Sequence, residues 1–205
     1  WWALKQTWDK GLVYEGRKVL MYCPRCETPV SNFEVASDNS YDDISEESVY
    51  VKAEVLSKRF GEKTYLLAWT TTPWTLPGNV AMAVGADIDY VLAKPSADDL
   101  VAGFEDALYI LEKAKVEILF NNPQIEKELK GHELVGLEYK QFFNVPLLQS
   151  EKSFKVYAAD FVTTEDGTGI VHTAVMYGEE DYELGLKQGL PVVQLLDAQG
   201  MFNER

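Results

Sequence analysis

The stretch "AWTTTPWTLPGN", Ala68 to Asn79, holds four threonines, two prolines and a glycine at the end of an apolar run. Tyr65 to Trp69, just before the threonines, form a run suited to a buried strand. Pro73 removes a backbone donor and drives Thr72 towards extended geometry, so the strand is expected to stop near Thr72. The hydroxyls of Thr70, Thr71, Thr72 and Thr75 would then gather at a strand end, where a ligand can reach them. Taken alone, the stretch reads more simply as a strand running into a turn, since threonine favours strands and Pro and Gly favour turns.

Working outward, "VYVKAEV" (49–55) alternates apolar and polar residues as a half-buried strand does. "TYLLAWT", "NVAMAVG" and "DYVLAK" follow at short intervals with turn residues between them, which predicts a closed or strongly curved sheet. The stretch 105–122 is expected to hold a strand and then a helix, and "PQIEKELKG" (123–131) a further short helix. "SFKVYAADFV" and "GTGIVHTAV" read as a strand pair around the turn "TTEDG". "GEEDYELGLKQG" (178–189) reads as a helix, with acids in its first turn and Gly189 at its end. "PVVQLLDAQGMF" is expected to close the chain with further strand. The fold class is therefore α/β, a barrel-like mixed sheet with peripheral helices. Ahead of it, residues 1–36 read as an amphipathic helix, a short strand and a cysteine knuckle. The polar, acidic stretch 37–48 is the natural linker, which leaves 49–205 as the main domain.

Composition narrows the function classes. The 205 residues are 46% hydrophobic, enough for a real core, and carry a net charge of −14. That charge argues against a free-standing nucleic-acid binder, whose affinity comes from neutralising phosphates. No apolar run reaches the roughly 18 residues of a membrane span, and the opening "WWALKQTWDKGLVYEG" lacks a secretory pattern. A cytoplasmic, monomeric fragment of a larger protein is expected. Cys23 and Cys26, as "CPRC", are the only cysteines. They read as half of a zinc-ribbon ligand set, as incidental cysteines, or, with the least support from their flanks, as a redox pair.

The second chemically loaded stretch is "GTGIVHTAVMYGEEDYELG" (167–185). His172 lies on its apolar strand, and Asp181 follows nine residues later at a helix start. Singly, the histidine reads as a core residue and the aspartate as a helix-dipole acid. No Ser–His–Asp or Cys–His nucleophile arrangement is visible.

Together, "WTTTPWTLPGN" and "GTGIVHTA…YGEEDY" resemble the editing domain, the inserted connective polypeptide 1, of isoleucyl-tRNA synthetase. Leucyl and valyl relatives carry an arginine between the threonines and the proline, so Thr72-Pro73-Trp74 is similar to the isoleucyl branch. The opening to Cys26 resembles the neighbouring catalytic-body helix and first zinc half-knuckle, whose second half lies beyond the insertion in that family. Val175-Met176 departs from the Pro-small pair usual after "HTA".

The resemblance implies hydrolysis of valine wrongly joined to isoleucine tRNA, with valyl-adenylate as a candidate second substrate. The partners implied are the 3′ end of that tRNA and the rest of the synthetase chain. No cofactor is implied for editing; zinc at Cys23 and Cys26 is implied for the intact parent enzyme. By the same resemblance, Thr70, Thr71, Thr72 and Thr75 hold the terminal adenosine, the ester and the attacking water. Asp181 binds the α-ammonium, His172 and Trp69 form the wall that excludes isoleucine, and Asn79 lies near the adenosine. An ordinary aspartate pKa near 3.9 would make Asp181 a poor general base, so an anchoring role is expected. A valyl or leucyl editing domain and a non-catalytic zinc-knuckle module are the alternatives.

Overall fold

A computed structural model describes residues 1–37, 40–61, 63–101 and 104–203 of the chain. Near the amino end, helix α1 (Trp2–Asp9) buries none of its residues, leaving Trp1, Trp2 and Trp8 exposed. Strands β1 (Tyr22–Cys23) and β2 (Thr28–Pro29) then form a small hairpin. Helix α2 (Asn32–Val35) follows, closed by a capping box between Ser31 and Glu34. Residues 40–48 are exposed and carry no regular element, while residues 38–39 of the expected linker lie outside the described residues.

The main body contains β3 (Val49–Glu54), β4 (Thr64–Thr70), β5 (Ala81–Val84), β6 (Asp89–Lys94) and α3 (Ala97–Val101). It continues with β7 (Leu108–Glu112), α4 (Val116–Leu119), β8 (Gln124–Lys130), β9 (Lys155–Ala158), β10 (Ile170–Thr173) and α5 (Glu179–Gln188). One sheet has the order β3-β4-β7-β6-β8, with only β4 and β7 parallel. The other has the order β10-β5-β9, with β5 and β9 parallel.

Side-chain alternation decides what each face packs against. Leu66 and Ala68 of β4, with Ile110 of β7, point towards Met82, Val84, Val156 and Ile170 of the smaller sheet and form the main core. Leu67, Tyr109 and Leu111 point the other way, onto Val116 and Phe120. No helix among the described residues is long and apolar enough to cross a membrane.

The mixed α/β class holds, but the described strands do not close into a barrel. They form two ladders that pack face to face, linked at one edge by isolated bridges from Val55 to Tyr139 and from Glu138 to Lys155 of β9. Three local expectations also change. Residues 124–130 are a strand, not a helix, pairing along β6 with Leu129 opposite Tyr90. Its Ile/Leu spacing and charges suit a helix locally, but the free edge of β6 offers a ladder, and charged residues are well placed on an edge strand. β9 and β10 do not pair with each other; they flank β5. All four β5 residues are fully buried, so this small apolar strand takes the centre and "TTEDG" becomes a crossing loop. The carboxyl-terminal stretch forms only an isolated bridge between Leu196 and Phe202, and Leu190 and Leu195 pack without a strand partner.

The helix at 179–188 forms as expected, and Gly189 ends it in the left-handed conformation, φ 69°. A buried polar tie fixes the chain where the threonine stretch enters β5. The Tyr139 hydroxyl donates to Asn79 Oδ1 at 2.7 Å, and Asn79 Nδ2 donates to the Ala81 carbonyl at 2.9 Å. Tyr139→Phe would leave the Asn79 oxygen buried without a donor. We expect a loss of about 1–3 kcal/mol in denaturant unfolding, with ligand binding at the cavity described below unchanged.

Candidate functional site

β4 ends at Thr70, and the residues after it fold back on themselves. The Thr72 amide donates to Thr70 Oγ1 at 3.1 Å, and the two hydroxyls lie 3.3 Å apart. Pro73 opens a 3-10 turn over Pro73–Gly78, as its fixed φ and missing donor favour. Within it the Thr75 hydroxyl donates to the Thr72 carbonyl at 2.8 Å. The same oxygen lies 2.7 Å from His172 Nε2. The hydroxyl has one proton and the carbonyl can only accept, so we assign the imidazole proton to Nε2. Nδ1 is then a bare acceptor, buried and without a partner among the described residues.

A cavity of about 560 Å³ opens between this strand end, the 161–171 segment and the start of α5. Trp69, Thr70, Thr71 and Asp181 line it. Thr72, Thr75, Asn79 and His172 do not. Asn79 is 4% exposed and spends its amide on the tie to Tyr139 and Ala81. His172 is 7% exposed and sits one layer below the lining, against Thr75. Burial lowers its pKa to about 4, so it is neutral at ordinary pH.

Asp181 is the third residue of α5. Its carboxyl turns back over Gly178, at a place where any side chain at 178 would overlap Oδ2. Burial is the main influence and pushes its pKa up to about 7; the Ala174 amide and the Thr173 hydroxyl pull the other way, and Glu180 adds to the rise. The Thr173 hydroxyl is itself buried with no well-aligned hydrogen bond among the described residues. This overturns the premise that Asp181 keeps an ordinary aspartate pKa. Near neutrality it can hold or release a proton, so an acid–base role is open to it beside anchoring.

The unusual Val175-Met176 pair makes a compact turn. The Tyr177 amide donates to the Ala174 carbonyl at 2.9 Å, and Val175, 2% exposed, packs against Gly185 of α5. The turn thereby fixes α5, and Asp181 with it.

Sequence reasoning missed the far wall of the cavity. Phe161, Thr163, Asp166 and residues 167–171 line it, with Glu179 and Glu180 beside Asp181. The available signal was the pair Gly167 and Gly169, both at positive φ, 74° and 69°, which a simple hairpin turn does not need. Cys23 ends β1 and Cys26 sits in the turn before β2, both as free thiols. The Cys26 amide and thiol hold the Cys23 pKa down, and the shared hydrogen bond raises that of Cys26. No three His, Cys, Asp or Glu side chains among the described residues converge on a metal position, so the pair alone does not fit a four-coordinate zinc.

Two sheets enclosing a core are also the architecture of a known domain type. The chain superimposes on the crystal structure of a Plasmodium knowlesi cytosolic leucyl-tRNA synthetase editing domain with a TM-score of 0.54. That match is 18% identical and covers 70% of this chain and 64% of the other. In sequence, the family described as tRNA synthetases class I (I, L, M and V) matches residues 1–164, and the chain belongs to that family. It is 46% identical to an isoleucine–tRNA ligase of Clostridium tetani and 45% to one of Clostridium acetobutylicum, over 98% of its own length in each case. It spans 18% of the length of each of those relatives.

The buried carboxyl makes stability depend on pH. The folded state raises the Asp181 pKa from 3.8 to about 7, so it binds more proton than the unfolded chain between those values. The contribution of Asp181 to stability therefore falls as pH rises through that window and stays low above it. Asp181→Asn removes the dependence. Thermal melting of the two proteins should nearly coincide at pH 4 and diverge with rising pH, the asparagine variant melting higher at pH 8.

Proposed function

We propose that this chain is the editing module of an isoleucine–tRNA ligase and hydrolyses valine from mischarged isoleucine tRNA. The observation that carries the reading is that Thr70, Thr71 and Asp181 line one cavity. Editing is needed because one methylene in an apolar pocket yields only about 1–3 kcal/mol of discrimination, a limit for which isoleucine and valine are the standard instance. A second, smaller site then has to accept what the first cannot refuse.

Asp181, once ionised, would take the α-ammonium of the valyl group in a charge-assisted hydrogen bond. The ammonium would in turn stabilise the ionised carboxylate. Thr70 and Thr71 would hold the ester and the attacking water beside it, with Thr72 bonded back onto Thr70 to fix their rotamers. An aminoacyl ester is already activated, so positioning water and the free ribose hydroxyl would supply much of the acceleration. Trp69 would close one side of the cavity. His172 would set its size from below, by holding the Thr72 carbonyl through Thr75. The cavity is acidic, lined by Asp166, Glu179, Glu180 and Asp181. With the chain at −14 overall, the grip on tRNA would come from the rest of the synthetase, and this domain would receive only the single-stranded 3′ end. The cysteine pair would be half of a zinc site completed by ligands outside this chain.

The decisive experiment is single-turnover deacylation of valyl- and isoleucyl-tRNA(Ile). Valyl-tRNA should be cleaved much faster, and Asp181→Ala should remove nearly all of that activity. A variant keeping more than about a tenth of the rate, less than ~1.4 kcal/mol of barrier, would exclude the anchoring role. His172→Ala should raise the isoleucyl-to-valyl ratio of kcat/KM, because the threonine turn loses its support and the cavity widens. An unchanged ratio with a lowered melting temperature would make His172 a core residue only. Cleavage of neither ester would contradict the editing function.

A further inference from the structure

One buried side chain reaches the far wall of the cavity from the other sheet. Tyr90 lies on β6, fully buried, and belongs to the core between the sheets. Its hydroxyl donates to the Gly169 carbonyl at 2.5 Å and accepts from the Gly85 amide at 3.1 Å. Gly85 follows the last residue of β5, and Gly169 precedes the first residue of β10, where Ile170 pairs with Val84. A single oxygen thus joins the larger sheet to one end of the β5–β10 ladder. Burial holds the Tyr90 pKa well above the usual tyrosine range, so the donated proton stays in place at any working pH.

Two further hydrogen bonds hold the same segment to the larger sheet and the turn after it. The amide of Glu112, the cross-strand neighbour of Tyr90, donates to the Thr168 carbonyl at 2.8 Å. Lys115 Nζ donates to the Glu165 carbonyl at 2.7 Å. Gly169 stands at φ 69°, and a Cβ there would come within 2.8 Å of Glu112 Cβ and 3.4 Å of the Tyr90 ring. No side chain can therefore stand at 169 to anchor the wall from within. Its carbonyl is anchored by Tyr90 instead. Without that hydroxyl the Gly169 carbonyl and the Gly85 amide would both be buried and unpaired, which favours a shift of the backbone that carries them.

The lining says what a shift of this wall would change. Gly167, Gly169 and Val171 line the cavity across from Thr70, Thr71 and Asp181, and Phe161 and Val171 are half-buried apolar side chains of the same segment. Under the editing function proposed above, on which this inference rests, the polar side holds the ester and the ammonium. The hydrocarbon of the acyl group is then left to the far wall. We propose that Tyr90 is a positioning residue for that wall, and that its hydroxyl, by fixing Gly169, sets which acyl side chain the cavity admits. Tyr90 touches no substrate; it acts through the backbone of 169–171. A sieve that separates side chains differing by one methylene depends on a wall that does not move.

The test compares Tyr90→Phe with Tyr139→Phe, which also removes one buried tyrosine hydroxyl but releases Asn79 rather than the wall. Deacylation of valyl- and isoleucyl-tRNA(Ile) is measured for the wild-type chain and both variants, with thermal melting alongside. Tyr90→Phe should raise the isoleucyl-to-valyl ratio of kcat/KM by about fivefold or more, because a loosened wall admits the larger side chain. Tyr139→Phe should lower the melting temperature comparably and leave the ratio within about twofold of wild type. Lys115→Met, whose lost hydrogen bond lies at the surface, loosens the same segment and should move the ratio the same way by a smaller factor. It carries the test if Tyr90→Phe does not fold. Wild-type cleavage of valyl-tRNA with an unchanged ratio in folded Tyr90→Phe, or in Lys115→Met where Tyr90→Phe is unfolded, overturns this proposal alone. An equal rise in Tyr139→Phe does the same, since it marks a general loss of packing. Cleavage of neither ester by the wild-type chain overturns it together with the editing function.

Discussion

A carboxyl group held at the start of a helix, largely out of water, is the constraint around which this structure is arranged. Asp181 reaches back over Gly178, and only a residue without a side chain leaves room there. Burial drives its pKa up to about 7, well above an ordinary aspartate. A group in that state costs stability whenever it is charged. Such a cost is the usual mark of a functional position. The fold tolerates it because α5 is fixed along its carboxyl-terminal half, by Val175 packing on Gly185 and by the left-handed Gly189.

The opposite side of the cavity depends on the strand order. β5, apolar throughout, takes the centre of the smaller sheet and draws β9 and β10 to its two sides. The connection between them must then cross from one edge to the other, and in crossing it becomes the far wall. One segment therefore separates two cavities of different chemistry. Thr70, Thr71 and Asp181 line one; Val91, Val116 and several carboxylates line the other.

Much of this was legible in the sequence, for physical reasons. Pro73 announces the end of β4, and the acids and Gly189 announce α5. The resemblance carried by "WTTTPWTLPGN" and "YGEEDY" located the two stretches whose residues line one cavity. Pairing partners were not legible. The stretch 124–130 has a helix-like spacing and becomes a strand only because β6 has a free edge. His172 and Asn79 show the same limit at the site. Both have functional residue types, yet the structure buries them against Thr75 and Tyr139, and nothing local in the sequence announces those partners. The raised Asp181 pKa was equally hidden, since it comes from burial by the whole fold.

The central claim is that Asp181 is poised near neutrality and becomes fully charged when it meets an ammonium group. Carbon-detected NMR titration of the Asp181 carboxyl, with and without a non-hydrolysable valyl-adenosine amide, measures this directly. The free protein should titrate at about 7. With the amide bound, the midpoint should fall by about one unit or more, which corresponds to at least ~1.4 kcal/mol of preferential interaction with the charged form. A midpoint close to 3.8 in the free protein, or one that the bound amide leaves unmoved, would contradict the account.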